Sequence, residues 1–166
     1  MNRIHLFSAA LLLAVLGCNS TPNARVATKL NDGASLTGDL PANPLQWKVI
    51  TSAINRQDST MYTLFGNDIA VQYARTNSQQ HYPAGAVLSL VTWSQQEDPR
   101  WFGGNIPSAP KSVEFVTVGS APDNTPTYTY QSFGGTPLKK VSDQNGLTPD
   151  SRTAYLIAQR AAVMPD

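Results

Sequence analysis

Ala86-Val87-Leu88-Ser89-Leu90-Val91-Thr92-Trp93 is the stretch on which the fold turns. It is apolar on both faces, as a strand covered on both sides must be, and it is too short for a buried helix of ordinary length. A second run of the same kind, Val113-Glu114-Phe115-Val116-Thr117-Val118, follows after a loop-rich interval, and Tyr128 and Tyr130 share one face of a further strand directed at Phe133. Upstream, Leu45, Trp47, Val49, Thr51 and Ala53 alternate with more polar neighbours and predict a strand with one buried face. Met61 to Phe65 predicts another, closed by Gly66.

Two short helices complete the pattern. Asn67 is a good N-cap with Asp68 in the first turn, and Ile69, Ala70, Tyr73 and Ala74 share a helical face as far as Arg75. As a plain cap, Asn67 would be replaceable by aspartate, and Gly66 would supply a backbone angle closed to other residues. Thr148 caps the second helix, with Pro149 at its first position, Asp150 next, and Ala154, Ile157, Ala158 and Ala161 as its apolar stripe. The joins carry turn chemistry: Tyr82-Pro83-Ala84-Gly85, Phe102-Gly103-Gly104-Asn105, Ala121-Pro122-Asp123-Asn124 and Gly134-Gly135. The expected fold is mainly β (α+β), a single antiparallel sheet with two short helices, spanning residues 44–166.

Residues 1–17 have the parts of a bacterial export signal: Arg3, an apolar run from Leu6 to Leu16, and small Gly17 before Cys18. The run is shorter than the roughly 20 residues a helix needs to cross a bilayer. Val15-Leu16-Gly17-Cys18 resembles the lipoprotein signal, in which Cys18 receives a thioether-linked diacylglyceryl group and is then N-acylated, so palmitate on Cys18 is expected. The alternative is a lone buried thiol behind an ordinary signal. Asn19 in place of aspartate after the cysteine points to the outer membrane and the periplasm. Residues 18–43, rich in Asn, Thr, Gly, Ser and Pro and without aromatics, read as a flexible lipidated tether.

The 166 residues include 12 Lys and Arg against 11 Asp and Glu, and since Arg3 lies in the leader the remainder is balanced. No basic footprint for nucleic acid is present, and the membrane is met through the anchor on Cys18. The single cysteine excludes an intrachain disulfide, a Cys-based zinc site and the Cys-x-x-Cys-His run of c-type haem. His81 is the sole histidine after the leader, and a metal site on it would lack further nitrogen or sulfur donors, so no metal is expected. No Gly-x-Ser-x-Gly elbow marks a hydrolase, and Glu97-Asp98 with Arg100 reads as a solvated turn. Trp47, Trp93 and Trp101, with His81, are the first residues to test as the lining of a ligand pocket; core packing is the alternative for the aromatics.

Three segments carry a resemblance: Phe65-Gly66-Asn67-Asp68-Ile69-Ala70, then Tyr82-Pro83-Ala84-Gly85 leading into Ala86 to Trp93, then Trp101-Phe102-Gly103 followed by Ser112-Val113-Glu114-Phe115-Val116. In that order they resemble the cytochrome P-460 domain from about Trp47 to Lys140. The resemblance implies an antiparallel β fold, often a homodimer, in periplasmic proteins whose catalytic members oxidise hydroxylamine on a c-type haem and whose relatives bind nitric oxide. The pattern is broken at the cofactor. Family members attach haem through Cys-x-x-Cys-His near the C-terminus, where Ala161-Ala162-Val163-Met164-Pro165-Asp166 stands here, and through a lysine on the strand after the Pro-x-Gly turn, where Ser89 and Leu90 stand. The expectation is therefore a binding or structural module rather than an enzyme, with no covalent haem. The alternative is haem held non-covalently, with His81 as its only imidazole, acting on hydroxylamine or binding nitric oxide.

Overall fold

A computed structural model describes residues 31–76, 81–142 and 146–162. The leader, Cys18 and the stretch 19–30 lie outside them. Six strands, β1 (Lys48–Asn55), β2 (Thr60–Gly66), β3 (Val87–Glu97), β4 (Asn105–Ser120), β5 (Pro126–Gly134) and β6 (Lys139–Val141), form one antiparallel sheet in which spatial order equals chain order. Helix α1 (Asp68–Thr76) follows β2 and helix α2 (Pro149–Ile157) follows β6. The mainly β, single-sheet, two-helix expectation holds. β4 is longer than its apolar stretch, because it begins at Asn105 and carries Pro107 and Pro110 before Val113.

Alternation splits the sheet into two apolar layers. On one face Leu64, Leu88, Leu90, Val116 and Val118 pack under α1 and α2, joined by Ala70, Val71, Tyr82 and Leu156. On the other, Phe65, Val91, Trp93, Val113, Phe115 and Phe133 form a second layer. β3 contributes to both layers from successive residues, which is why its sequence is apolar throughout.

The second layer is roofed by residues the sequence reading gave to the tether. Ala34, Leu36 and Leu40 pack on it beside Trp47, and the Trp93 indole donates to the carbonyl of Ala34 at 2.9 Å. Leu138 donates its N–H to Thr37 O at 2.8 Å and its carbonyl accepts from Asp39 N at 3.1 Å. Gly38 makes this approach feasible: its φ is +142°, and a Cβ there would run into the Leu138 backbone. The 31–43 part of the expected tether is thus a strap on the sheet. A polar composition with only two leucines conceals it, because its hold is largely through backbone groups.

Three helix and strand faces also differ from the periodic reading. A bulge between Val49 and Thr51 turns Ile50 into the helix-side core and leaves Val49 and Leu45 exposed, while Thr51 and Ala53 are half-buried as alternation requires. On α1, Val71 is buried and Ile69 exposed. On α2, Leu156 and Thr153 face the core, whereas Ala154 and Ala158 face solvent. Short helices with few large apolar residues give periodicity little to choose between, and contact with the sheet decides.

Candidate functional site

The helix-side face is not covered along its whole length. α1 lies over one end and α2 over the middle, where Tyr128 and Tyr130 meet it. Beyond α2 a cleft of about 850 Å³ opens, lined by Asp58, Thr60, Thr92, Lys111, Ser112 and Glu114 among others, with Arg152 at its α2 side. Register builds this lining: Thr92 pairs with Ser112, and Leu90, one face-step further in, pairs with Glu114. The strands that supply Leu88, Leu90, Val116 and Val118 to the core therefore end in hydroxyls and charges as they run out from under α2.

Glu114 is the floor. It is 2% exposed, and its carboxylate is held by a fork from Arg152, with Nε to Oε2 at 2.8 Å and Nη2 to Oε1 at 2.7 Å. The Tyr130 hydroxyl donates to Oε2 at 2.7 Å. A charge taken so far from water is tolerated only with such partners. Its effect reaches them in turn: the Glu114 hydrogen bond raises the Arg152 pKa, and burial, then the Glu114 bond, pushes the Tyr130 phenol up to about 12. The Arg152 guanidinium also lies over the Tyr155 ring, 4.7 Å from its centroid.

None of the four residues selected from sequence lines the cleft. Trp47 and Trp93 belong to the second layer on the opposite face, Trp47 meeting Phe115 edge-on at 6.1 Å. His81 is exposed at the entry to the Tyr82 turn, and Trp101 is 74% exposed in the β3–β4 turn. The aromatic region is divided, with Tyr82 stacked obliquely on Tyr73 at 5.1 Å in the helix-side core. Glu114, Tyr130 and Arg152 were missed as a unit. The signal was a single carboxylate inside an apolar central strand, which requires a cationic partner from elsewhere in the chain.

Asn67 does more than cap. Its Oδ1 accepts from Ala70 N at 3.0 Å and from Val87 N at 3.1 Å, and its Nδ2 donates to Gly85 O at 2.8 Å. The side chain ties the start of α1 to the start of β3. Gly66 serves space rather than backbone angle, since a Cβ would lie 2.8 Å from Ile50 Cδ1 and 3.0 Å from Ala70 Cβ.

A six-strand meander with two helices and a polar cleft on one face defines a small single-sheet α+β domain. The chain belongs to the cytochrome P460 family, whose model matches residues 41–149. No curated protein matches the chain.

The family implies haem, and the residues that line the cleft do not fit a covalently held or iron-ligating one. Among the described residues no histidine, cysteine or methionine lines the cleft, and the chain's one cysteine precedes Asn31. Ser89 and Leu90, on the strand after the Pro-x-Gly turn, are 0% and 2% exposed. A group attached at Ser89 would enter the layer filled by Phe65, Phe115 and their neighbours, and one at Leu90 would enter the core beneath the helices. Axial ligation asks for imidazole, thiolate, thioether or phenolate aimed at the metal. Here the half-buried phenol of Tyr130 is engaged with Glu114.

Proposed function

We propose that this protein is a lipid-anchored, periplasm-facing binding module of the cytochrome P460 family that works without covalent haem and takes a small polar ligand in the cleft. The observation that carries it is the cleft lining: Thr60, Thr92 and Ser112 hydroxyls, with Asp58 and Lys111, stand over a carboxylate already ion-paired with Arg152 and hydrogen-bonded by Tyr130. Hydrogen-bonding groups in that number suit a compact polar molecule better than a flat apolar macrocycle. Acylation of Cys18 supplies the anchor, and each buried methylene contributes about 0.8 kcal/mol to membrane attachment.

The test is mass spectrometry of small molecules released on denaturing the purified full chain, beside Lys111→Ala and Thr92→Val. A small polar compound present in the wild type and depleted in both variants supports the reading; equal recovery from all three overturns it. Family membership favours a second reading, haem bound non-covalently, which acts on hydroxylamine or binds nitric oxide. Haemin titration separates the two. A Soret band saturating at one equivalent and lost in His81→Ala would replace the first reading with the second.

A further inference from the structure

In the strand register β3 and β4 outrun their neighbours. β2 pairs with β3 as far as Thr60 opposite Ser94, and β5 pairs with β4 as far as Gly134 opposite Ser112. Past those points β3 and β4 continue as a two-stranded ribbon, with Gln95, Gln96 and Glu97 opposite Pro107, Ile106 and Asn105. At about 3.3 Å per residue the ribbon runs on for about 10 Å before its turn begins. Its base is fixed: Gln95 donates from its backbone to Ser59 O at 3.0 Å and from its side chain to Thr60 O at 2.6 Å.

The turn is closed on itself. Asp98 N–H bonds Gly104 O at 2.9 Å, Gly104 N–H bonds Trp101 O at 3.0 Å, and Arg100 N–H bonds Asp98 Oδ1 at 2.9 Å. This turn holds Trp101 and Phe102 outward, the first 74% exposed and the second wholly so. Scattered exposed apolar residues are ordinary, but two adjacent aromatics on the tip of a projecting, internally bonded turn form a contact surface.

The chain itself points to what covers them. Asn31 donates from Nδ2 to the carbonyl of Pro107, on the ribbon, so Asn31, the described residue nearest Cys18 in the chain, lies at the end of the domain that carries the aromatic tip. Twelve residues separate Cys18 from Asn31, a span of at most about 45 Å when fully extended. We propose that the Asp98–Gly104 turn is a membrane contact, with Trp101 and Phe102 seated in the interfacial zone of the phospholipid bilayer to which Cys18 ties the chain. This rests on the lipid-anchor reading above. Tryptophan favours that zone because its ring joins an apolar body to a polar N–H edge, and Phe102 beside it adds apolar area that enters with it. Arg100 and Asp98 lie 3.7 Å apart and offset one another, and Glu97 and Asp32 are acidic, so the contact works by aromatic burial rather than attraction to anionic lipid.

The experiment uses the full-length protein, purified from membranes of palmitate-labelled cells and reconstituted into phosphatidylethanolamine and phosphatidylglycerol vesicles containing acyl-brominated lipid. Trp93 is buried and Trp47 half-buried, so Trp101 is the reporter, and Trp101→Phe supplies the background. The expected result is a blue-shifted wild-type emission quenched by brominated lipid, unaffected by salt, with the quenched component lost in Trp101→Phe. Labelled protein whose Trp101 emission is not quenched overturns the tip contact and leaves the anchor standing. Unlabelled protein overturns the anchor and this inference with it. Absence of quenching together with a dimer that Phe102→Ser dissociates, read by analytical ultracentrifugation, would assign the tip to a second copy of the chain instead.

Discussion

Glu114 sits mid-strand among valines and phenylalanine, and its carboxylate survives there only because Arg152 and Tyr130 hold it. Removing one partner strands a buried charge, so Arg152→Ala should cost about 3 kcal/mol in urea denaturation, whereas the pair Glu114→Leu with Arg152→Leu should cost less than Arg152→Ala alone. Asn67 is the second residue on which much converges. Losing the cap alone costs about 1 kcal/mol, but Asn67→Ala also frees Val87 N and Gly85 O, so roughly 2–3 kcal/mol is expected. Asn67→Asp keeps both acceptor contacts and sets a carboxylate against the Gly85 carbonyl. It should therefore destabilise measurably, against the expectation for a plain cap, and a melting midpoint equal to wild type would show that the Gly85 bond contributes nothing.

At the scale of elements, the strap is the sharpest departure from what the sequence displays. A chain started at Pro44 should melt lower than a chain started at Asn31. It loses the cover of Leu36 and Leu40 and the Ala34 acceptor of Trp93, at several degrees for each kcal/mol in a domain of this size. Strand existence was legible because β3 and β4 are apolar over enough residues to admit only a doubly covered strand, and both helices were legible through Asn67, Thr148 and Pro149. Faces were less so. Ile50 reaches the core through a bulge that no alternation encodes, and Leu156 is chosen over Ala154 by its size against the sheet. The cleft was illegible for a different reason: its central pair joins residues 38 positions apart, and no local pattern announces which arginine will meet a buried glutamate.

For the molecule as a whole, three phenols set an upper pH limit. Burial pushes Tyr82, Tyr130 and Tyr155 up to about 12, above the ordinary value of 10. Below pH 10 they are protonated in folded and unfolded chains alike and stability is unaffected. Between 10 and 12 the unfolded chain releases protons that the folded one retains, so stability falls across that window. Urea midpoints measured from pH 9 to 12 should decline, and less steeply in Tyr82→Phe. The order of the sheet has a kinetic consequence as well. Every strand lies beside its predecessor in the chain, so the sheet can assemble strand by strand, with short loops to close everywhere except between β2 and β3, where α1 intervenes, and with little delay from distant pairing. Among the sheet's bridges the strap is the exception, because Gly38 must find Leu138, 100 positions away, after β5 and the turn that follows it are in place. It should close last, on the native side of the folding barrier. Substitutions at Leu36 or Leu40 should then quicken unfolding in stopped-flow while leaving the folding rate nearly unchanged, so that the strap governs how long the domain stays folded more than how fast it forms.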